Sequence, residues 1–466
     1  MSDETMQVLF DRQRQASRTM PAPDAAARRE ALATLRRLIV GHVDAIADAI
    51  SADFGTRSKA ETELLEISPT LNAIRHAGKS LGRWMKPQRR GIDITFQPGK
   101  AWVRHEPLGV VGIMSPWNYP LILTLAPLVD ALAAGNRVLL KPSELTPRFA
   151  DLLQRVVAEH FSPDQVAVVV GDVEVAKAFS ALPFDHLLFT GSTAIGRQVM
   201  RAAAENLTPV TLELGGKSPA IVCPDYSVSA AARSIAFGKW LNAGQTCIAP
   251  DYVLVPADRV EAFAEAAMAA VRSAYPALAE NADYTSIVST RHQARLQAAL
   301  AQAEAAGASV YRHSQDAEAG AGKLAPAIVL GAPDDGVLMR EEIFGPILPV
   351  VPYRDLDEAL AIVNARERPL ALYCFTGDRR TEAQVLDGAI SGGVTVNGTL
   401  LHIAQDNLPF GGIGPSGMGA YHGRDGFLRF SHARAVYRVG PINVFERLGP
   451  PWGRLARMTA RIMLRR

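Results

Sequence analysis

"VVGIMSPWNYPLILTLAPLVDALAAGNRVLLKPSE", residues 110–144, decides the fold. It opens on a short apolar run, "VVGIM" (110–114), and closes on another, "RVLL" (137–140). No charged residue stands between Leu108 and Val129, so hydropathy alone would take that stretch for a membrane span. Pro116, Pro120 and Pro127 fall inside it, and an uninterrupted helix does not tolerate them. The stretch reads instead as a buried strand, a loop and the start of a helix, with a second strand to follow.

The same alternation runs on both downstream and into the second half of the chain. "VAVVV" (166–170), "HLLF" (186–189) and "VTLEL" (210–214) read as further strands, with helical patterns at 145–160 and 194–204. Strand, helix, strand at this spacing predicts a buried parallel sheet with right-handed crossovers, a doubly wound α/β architecture of the dinucleotide-binding type. After about residue 218 the alternation resumes, with "RVEAFAEAAMAAVRSAY" (259–275) as helix and "LPVVPY" (348–353) as strand, and predicts a second α/β domain over 218–415. Residues 22–90 read as mostly helical, and "GIDITFQPGKAWVRHEPLG" (91–109) predicts a β-hairpin turning at "QPGK". The Gly-rich "LPFGGIGPSGMGAYHG" (408–423) leads to a last strand at 433–439.

Bulk properties narrow the function. A chain of 466 residues with 48% apolar and 21% charged residues suits a soluble protein of two or three domains. Its net charge of +2 gives no electrostatic reason to expect nucleic acid. Cys223, Cys247 and Cys374 are too scattered for a disulfide framework, and no C-x-x-C or Cys/His cluster offers a metal site. The start lacks the apolar core of a secretory signal, so the expected compartment is the cytoplasm.

Several motifs carry chemistry, each with a plainer reading beside it. "FTGSTAIG" (189–196) stands where a strand hands over to a helix, a place that welcomes phosphate. Thr193 occupies the position of the middle glycine of the usual fingerprint, so the turn reads equally as a capped helix start. "LLKPSE" (139–144) ends another strand, where Lys141 and Glu144 can hold a ribose or simply face solvent. Asn118 in "SPWNYP" can donate to a developing oxyanion or bond its own loop. Glu213 in "ELGGKSP" ends a buried strand, which suits a general base and equally a salt-bridged strand end. Glu342 and Phe344 in "EEIFGP" can take ribose hydroxyls and pack on a ring, or merely form a turn. Cys247 in "NAGQTCIAP" is either a nucleophile or an ordinary buried cysteine, and the helix before it offers it no N-terminal dipole.

In this order, "PWNYP", "KPSE", "FTGST", "ELGGKSP", "GQTC", "EEIFGP" and "PFGG" resemble the aldehyde dehydrogenase superfamily over nearly the whole chain. "LTPVTLELGGKSP" and "PFGGIGPSGMGAYHG" look like its class 3 branch. "RPLALYCF" and the stretch from "LLHIAQDNLPFGG" to "RAVY" look most like the bacterial coniferyl aldehyde dehydrogenases. The resemblance implies NAD(P)-dependent oxidation of an apolar or aromatic aldehyde to its acid through a thioester. The alternatives are a general medium-chain or aromatic aldehyde dehydrogenase of class 3, and a coenzyme A-acylating or non-catalytic member. It makes Cys247 the nucleophile, Asn118 the oxyanion donor and Glu213 the base for water. Lys141, Glu144, Gly191, Ser192, Gly196, Glu342 and Phe344 are implied for the cofactor, NAD with NADP as the alternative. Tyr119, Phe237, Leu241 and Ile403 are implied to line the substrate tunnel, and no metal is implied.

The implied division assigns 1–90 and 107–217, with 416–430, to the dinucleotide-binding domain and 218–415 to the catalytic domain. Residues 91–106 and 431–442 form an oligomerisation element, implying a homodimer, and 443–466 a basic tail. In that tail Leu455, Met458 and Ile462 fall on one helical face and Arg454, Arg457, Arg461 and Arg465 on another. The favoured reading is a solvated helix or one packed on a partner subunit. Peripheral contact with anionic lipid is the alternative, not favoured.

Overall fold

The computed structural model describes residues 3–314, 322–441, 443, 446 and 448–464. The tail's Arg465, residue 442 at the end of the expected oligomerisation element and residues 315–321 of the expected catalytic domain lie outside them. The N-terminal stretch is helical at Asp3–Thr19, Ala25–Gly41, Val43–Phe54 and Ser68–Trp84. The first of these begins earlier than expected. It buries Met6 and Phe10 against the sheet described below, and Gln13 Nε2 donates to the carbonyls of Val138 and Pro163 at 3.0 Å. Between the later helices Glu63–Ile67 winds as a π-helical turn, a form that gathers at functional sites.

Strands β1 (Gln88–Arg90) and β2 (Lys100–Pro107) pair antiparallel. The expected hairpin is therefore wider than "QPGK": its first arm lies before Gly91. Asp93 accepts the Thr95 N–H at 2.9 Å and winds Ile94–Phe96 into a 3-10 turn inside the loop, so that segment cannot extend as a strand.

The first parallel sheet follows. It holds β3 (Val110–Met114), β4 (Arg137–Lys141), β5 (Val166–Val168), β6 (His186–Thr190) and β7 (Val210–Glu213). The spatial order is β7-β6-β3-β4-β5, all parallel. The chain builds outward from β3 to β5, then crosses back to lay β6 on the other side of β3. That reversal opens a crevice at the carboxyl ends of β3 and β6, the place where open α/β sheets bind ligands. The charge-free stretch divides as expected into β3, a loop and the helix Ile122–Ala134, which is buried with Pro127 inside it.

The second sheet contains β8 (Pro219–Val222), β9 (Tyr252–Pro256), β10 (Ser309–Arg312), β11 (Ala327–Leu330), β12 (Ile347–Tyr353), β13 (Ala371–Phe375) and β14 (Gly393–Val396). Their order is β10-β11-β12-β9-β8-β13-β14, parallel throughout except for the edge strand β10. The Gly-rich segment then returns to the first sheet, where β15 (Gly417–Met418) pairs antiparallel with β7, setting Gly417 opposite Glu213. Finally β16 (Ser431–Arg438) pairs with β2 and completes a three-stranded sheet with β16 at its edge. The helix Arg454–Met463 buries none of its residues. No helix among the described residues is long and apolar enough to cross a membrane.

Candidate active site

Side chains that the sequence singled out meet at the carboxyl rim of the first sheet. The loop leaving β3 carries Asn118, β4 ends on Lys141, β6 on Thr190 before Gly191 and Ser192, and β7 on Glu213. Cys247 arrives from the second half of the chain, between the helix Val228–Trp240 and β9. The approach to it is unusual. Asn242 and Ala243 stand at φ of 49° and 52°, and Gly244 at 75°. Left-handed residues other than glycine cost about 1–3 kcal/mol each and persist only where the surroundings hold them. Here Glu61 accepts the Asn242 N–H at 3.1 Å, and Gln245 Nε2 donates to the carbonyls of Asn242 and Ser286. A Cβ at Gly244 would run into the Gly345 carbonyl.

This bend is tied to the Asn118 loop from both directions. Asn118 Nδ2 donates to the Gln245 carbonyl at 3.1 Å, and Asn242 Nδ2 donates back to the Asn118 carbonyl at 2.9 Å. The Tyr119 hydroxyl bonds Thr246 Oγ1 at 3.0 Å, next to Cys247. Behind the loop Arg57, fully buried, donates to the Asn118 carbonyl at 2.9 Å and pairs with Glu66 at 3.0 Å. Its guanidinium lies 4.7 Å from the centre of the Tyr119 ring. Glu66 in turn accepts the N–H groups of Leu121 and Ile122. Sequence reasoning missed Arg57, Glu61, Glu66 and Asn242. Glu61 and Glu66 are five apart, a spacing that an α-helix sets on different faces, and the π turn at Glu63–Ile67 that turns both inward leaves no periodic signal.

The electrostatics divide the roles. Burial lifts the Glu213 carboxyl to about 7, opposed by hydrogen bonds from Tyr421 Oη at 2.8 Å and Thr190 Oγ1 at 3.3 Å, both to Oε2. Oε1 is shut from solvent without a partner. A carboxyl poised near neutrality is suited to proton transfer. Burial, then the charges of Glu213 and Glu342, push the Cys247 thiol well above its ordinary value, while the backbone N–H groups of Cys247 and Ile248 pull it down. At neutral pH this sulfur holds its proton until a base takes it.

A cleft of about 1190 Å³ runs beside this rim, lined among others by Thr193, Arg197, Gly215, Glu342, Arg366 and Ser416. Its residues fit a dinucleotide. Burial raises the Glu342 carboxyl to about 8, and its Oε1 lacks a partner, a ready acceptor for a ribose hydroxyl. A Cβ at Gly215 would collide with that carboxylate. The Lys217 ammonium bonds Asp251 at 2.5 Å and the Leu338 carbonyl at 2.7 Å, while Asp251 accepts the Ile343 N–H, pinning the segment that carries Glu342. Ser192 caps the helix Thr193–Ala204, accepting the Ile195 N–H. Its remaining N-terminal N–H groups suit a phosphate. Lys141 is buried and donates to the Pro142 carbonyl at 2.9 Å, whereas Glu144 is exposed. Packing also accounts for two glycines expected at the cofactor. A Cβ at Gly196 would sit 2.7 Å from the Leu214 side chain, and one at Gly191 would meet the Phe189 ring. Phe344 turns its ring edge-on to Trp117, at 5.4 Å, in left-handed backbone.

Of the residues expected to line a substrate tunnel, Tyr119 and Leu241 are buried beside the Cys247 bend. Ile403 lines a separate cleft of about 350 Å³ with Ile122, His76 and His422. Phe237, one helical turn before Leu241, is 57% exposed, so in this chain its ring is not enclosed. Among the described residues no group of His, Cys, Asp and Glu side chains could hold a metal ion.

Comparison with known proteins shows the family and the fold. The sequence model of the Aldehyde dehydrogenase family matches residues 1–436. A curated relative from Pseudomonas aeruginosa, named "Probable coniferyl aldehyde dehydrogenase", is 52% identical over 449 residues, 96% of this chain and 94% of the relative. Among solved structures, the substrate-bound state of Staphylococcus aureus AldH superposes with a TM-score of 0.92 at 36% identity, covering 98% of this chain and 99% of that one. The NAD+ complex of an aldehyde dehydrogenase from Bacillus cereus superposes with a TM-score of 0.85 at 27% identity, covering 95% and 89%.

Proposed function

From the premise that the chain belongs to the aldehyde dehydrogenase family, we propose that Cys247, Asn118 and Glu213 perform the reaction and that its substrate is an apolar or aromatic aldehyde of the coniferyl type. The observation that carries the reading is the meeting of the three at one rim, with Asn118 bonded to the loop that presents Cys247 and the charge of Glu213 felt by its sulfur. Cys247 Sγ, its proton released to solvent, bonds to the aldehyde carbon, and the oxygen takes the negative charge. The Asn118 amide and the Cys247 backbone N–H are the donors for that oxygen, a contribution of about 3–4 kcal/mol for one such donor. A bound nicotinamide dinucleotide supplies the hydride acceptor, and the carbon on sulfur becomes a thioester. Glu213 then takes a proton from water as the water oxygen bonds to the thioester carbon. The C–S bond breaks, releasing the carboxylic acid and regenerating Cys247.

Glu342 is assigned to the nicotinamide ribose, with Phe344 beside it. Lys141 and Glu144 take the adenosine ribose, and Ser192, with Gly191, Gly196 and the helix they open, lies at the pyrophosphate. The exposed Glu144 carboxylate would repel a 2′-phosphate, which favours NAD over NADP. Tyr119 and Leu241 supply an apolar wall and Phe237 belongs at its open end, while Ile403 faces the neighbouring cleft and has no part in it. The eight-residue edge strand β16 offers unpaired N–H and C=O groups to a second copy, which favours a homodimer. Free Cys223, Cys247 and Cys374 suit a reducing cytoplasm. The test is a substrate series with NAD+, reading the acid product. Coniferaldehyde and hexanal should turn over faster than succinic semialdehyde, and the reverse order would overturn this reading of the wall.

A further inference from the structure

We propose that Tyr421 is a positioning residue that holds the Glu213 carboxylate by one oxygen and leaves the other free to take the proton of water. The proposal rests on the reading of Glu213 as the base. The "GMGAYHG" motif (417–423) has no part in the chemistry derived above, yet its tyrosine is buried and donates to Glu213 Oε2 at 2.8 Å. Thr190 Oγ1 donates more distantly, at 3.3 Å, to the same oxygen. Oε1 therefore remains unpartnered in a buried place, and it is the oxygen available to a proton.

The tyrosine is itself held as a fixed strut. Its N–H and C=O each bond Phe410 at 2.9 Å, and β15 just before it pairs with β7, setting Gly417 opposite Glu213. On its other side His422 stands at φ 88°, its N–H bonded to Asp130 Oδ2 at 3.1 Å, and its ring lies edge-on to Tyr421 at 4.6 Å. The titratable groups that the Tyr421–Glu213 pair faces are Cys247, Asp130 on the helix Ile122–Ala134, and His422. A hydroxyl donating to a carboxylate favours its ionised form, so Tyr421 counters the burial that lifts Glu213. A phenylalanine there would keep the ring and lose only that donor.

The experiment is Tyr421→Phe in the full-length protein, with coniferaldehyde and NAD+. It reads the pre-steady-state burst of reduced nicotinamide, the steady rate against pH and the melting midpoint, beside Thr190→Val and Glu213→Gln. For Tyr421→Phe the expected result is a fast burst of about one equivalent per site, since acylation does not need Glu213. The steady rate that follows should have its pH midpoint raised by about 1–2 units. At pH 7 that is a rate about 5- to 50-fold lower, recovered as pH rises. Thr190→Val, with the longer bond, should move the midpoint less. An unmoved midpoint, or a burst lost together with turnover, would overturn the positioning role. Wild-type turnover in Glu213→Gln would instead overturn the reading of the base, and this proposal with it.

Discussion

Replacing Arg57 by Met tests whether the buried support behind the Asn118 loop does what its geometry suggests. Arg57 and Glu66 form an ion pair at 3.0 Å, with both side chains fully buried. Removing one partner of such a pair costs about 3–5 kcal/mol, because the other charge is left in a low-dielectric place. With about 2.1 cal/mol/K of unfolding entropy per residue, 466 residues melting as one unit translate this into about 3–5 °C. The pH dependence supplies the sharper signature. Burial already raises the Glu66 carboxyl above its ordinary 4.5, and Arg57 is the largest force opposing that. Without Arg57 the folded-state value rises further. Stability from a raised carboxyl is present below the unfolded value and lost as pH rises through the folded one. The variant's deficit should therefore be small near pH 5 and largest near pH 8. Activity should fall as well, by about 10- to 100-fold in kcat/KM, as the Asn118 carbonyl loses its Arg57 donor and the loop shifts. The assay is a thermal melt from pH 5 to 8 beside kinetics, with Arg57→Met/Glu66→Gln for comparison. The double variant should regain part of the stability and lose the part of the pH dependence that Glu66 carries, leaving that of Glu61, which Arg57 also holds down. A deficit under about 1 kcal/mol, or one that is flat with pH, would refute the reasoning.

Glu213→Gln should retain the burst of reduced nicotinamide but lower steady turnover by about 10²- to 10⁴-fold. In the wild type the steady rate should rise with pH through about 7, the value to which burial lifts this carboxyl. Gly215→Ala places a Cβ against the Glu342 carboxylate. Its expected effect is a weakened affinity for the dinucleotide, read by isothermal titration, with the melting midpoint little changed. Alkylation of Cys247 by iodoacetamide in the absence of cofactor should accelerate with pH beyond 8 without a plateau, since the thiol is held above its ordinary value. A plateau near pH 7 would show a thiolate already formed.

The parallel strands were legible because a sheet covered on both faces writes itself as unbroken apolar runs, as in β3, β4 and β6. Glu213 could be placed at a strand end for the same reason. What could not be read was closed by contacts distant in sequence. The Tyr421 bond to Glu213 spans 208 residues, and that from Arg57 to the Asn118 carbonyl spans 61. Neither leaves a periodic trace. The helix Asp3–Thr19 was missed because its apolar residues apart from Ala16 are confined to the run 6–10, which holds its anchors Met6 and Phe10, and the rest of it is charged or polar. The hairpin turn was misplaced because "QPGK" is a strong local signal, while the Asp93 cap that shapes the loop is a weak one.

The central claim is that Cys247 carries the aldehyde as a thioester. Its most direct measurement is the rise of reduced-nicotinamide absorbance when the protein meets coniferaldehyde and NAD+, beside a Cys247→Ala variant of equal melting midpoint. Steady turnover in the wild type, abolished in the variant, is the predicted result. Turnover that survives the loss of Cys247 would contradict the account.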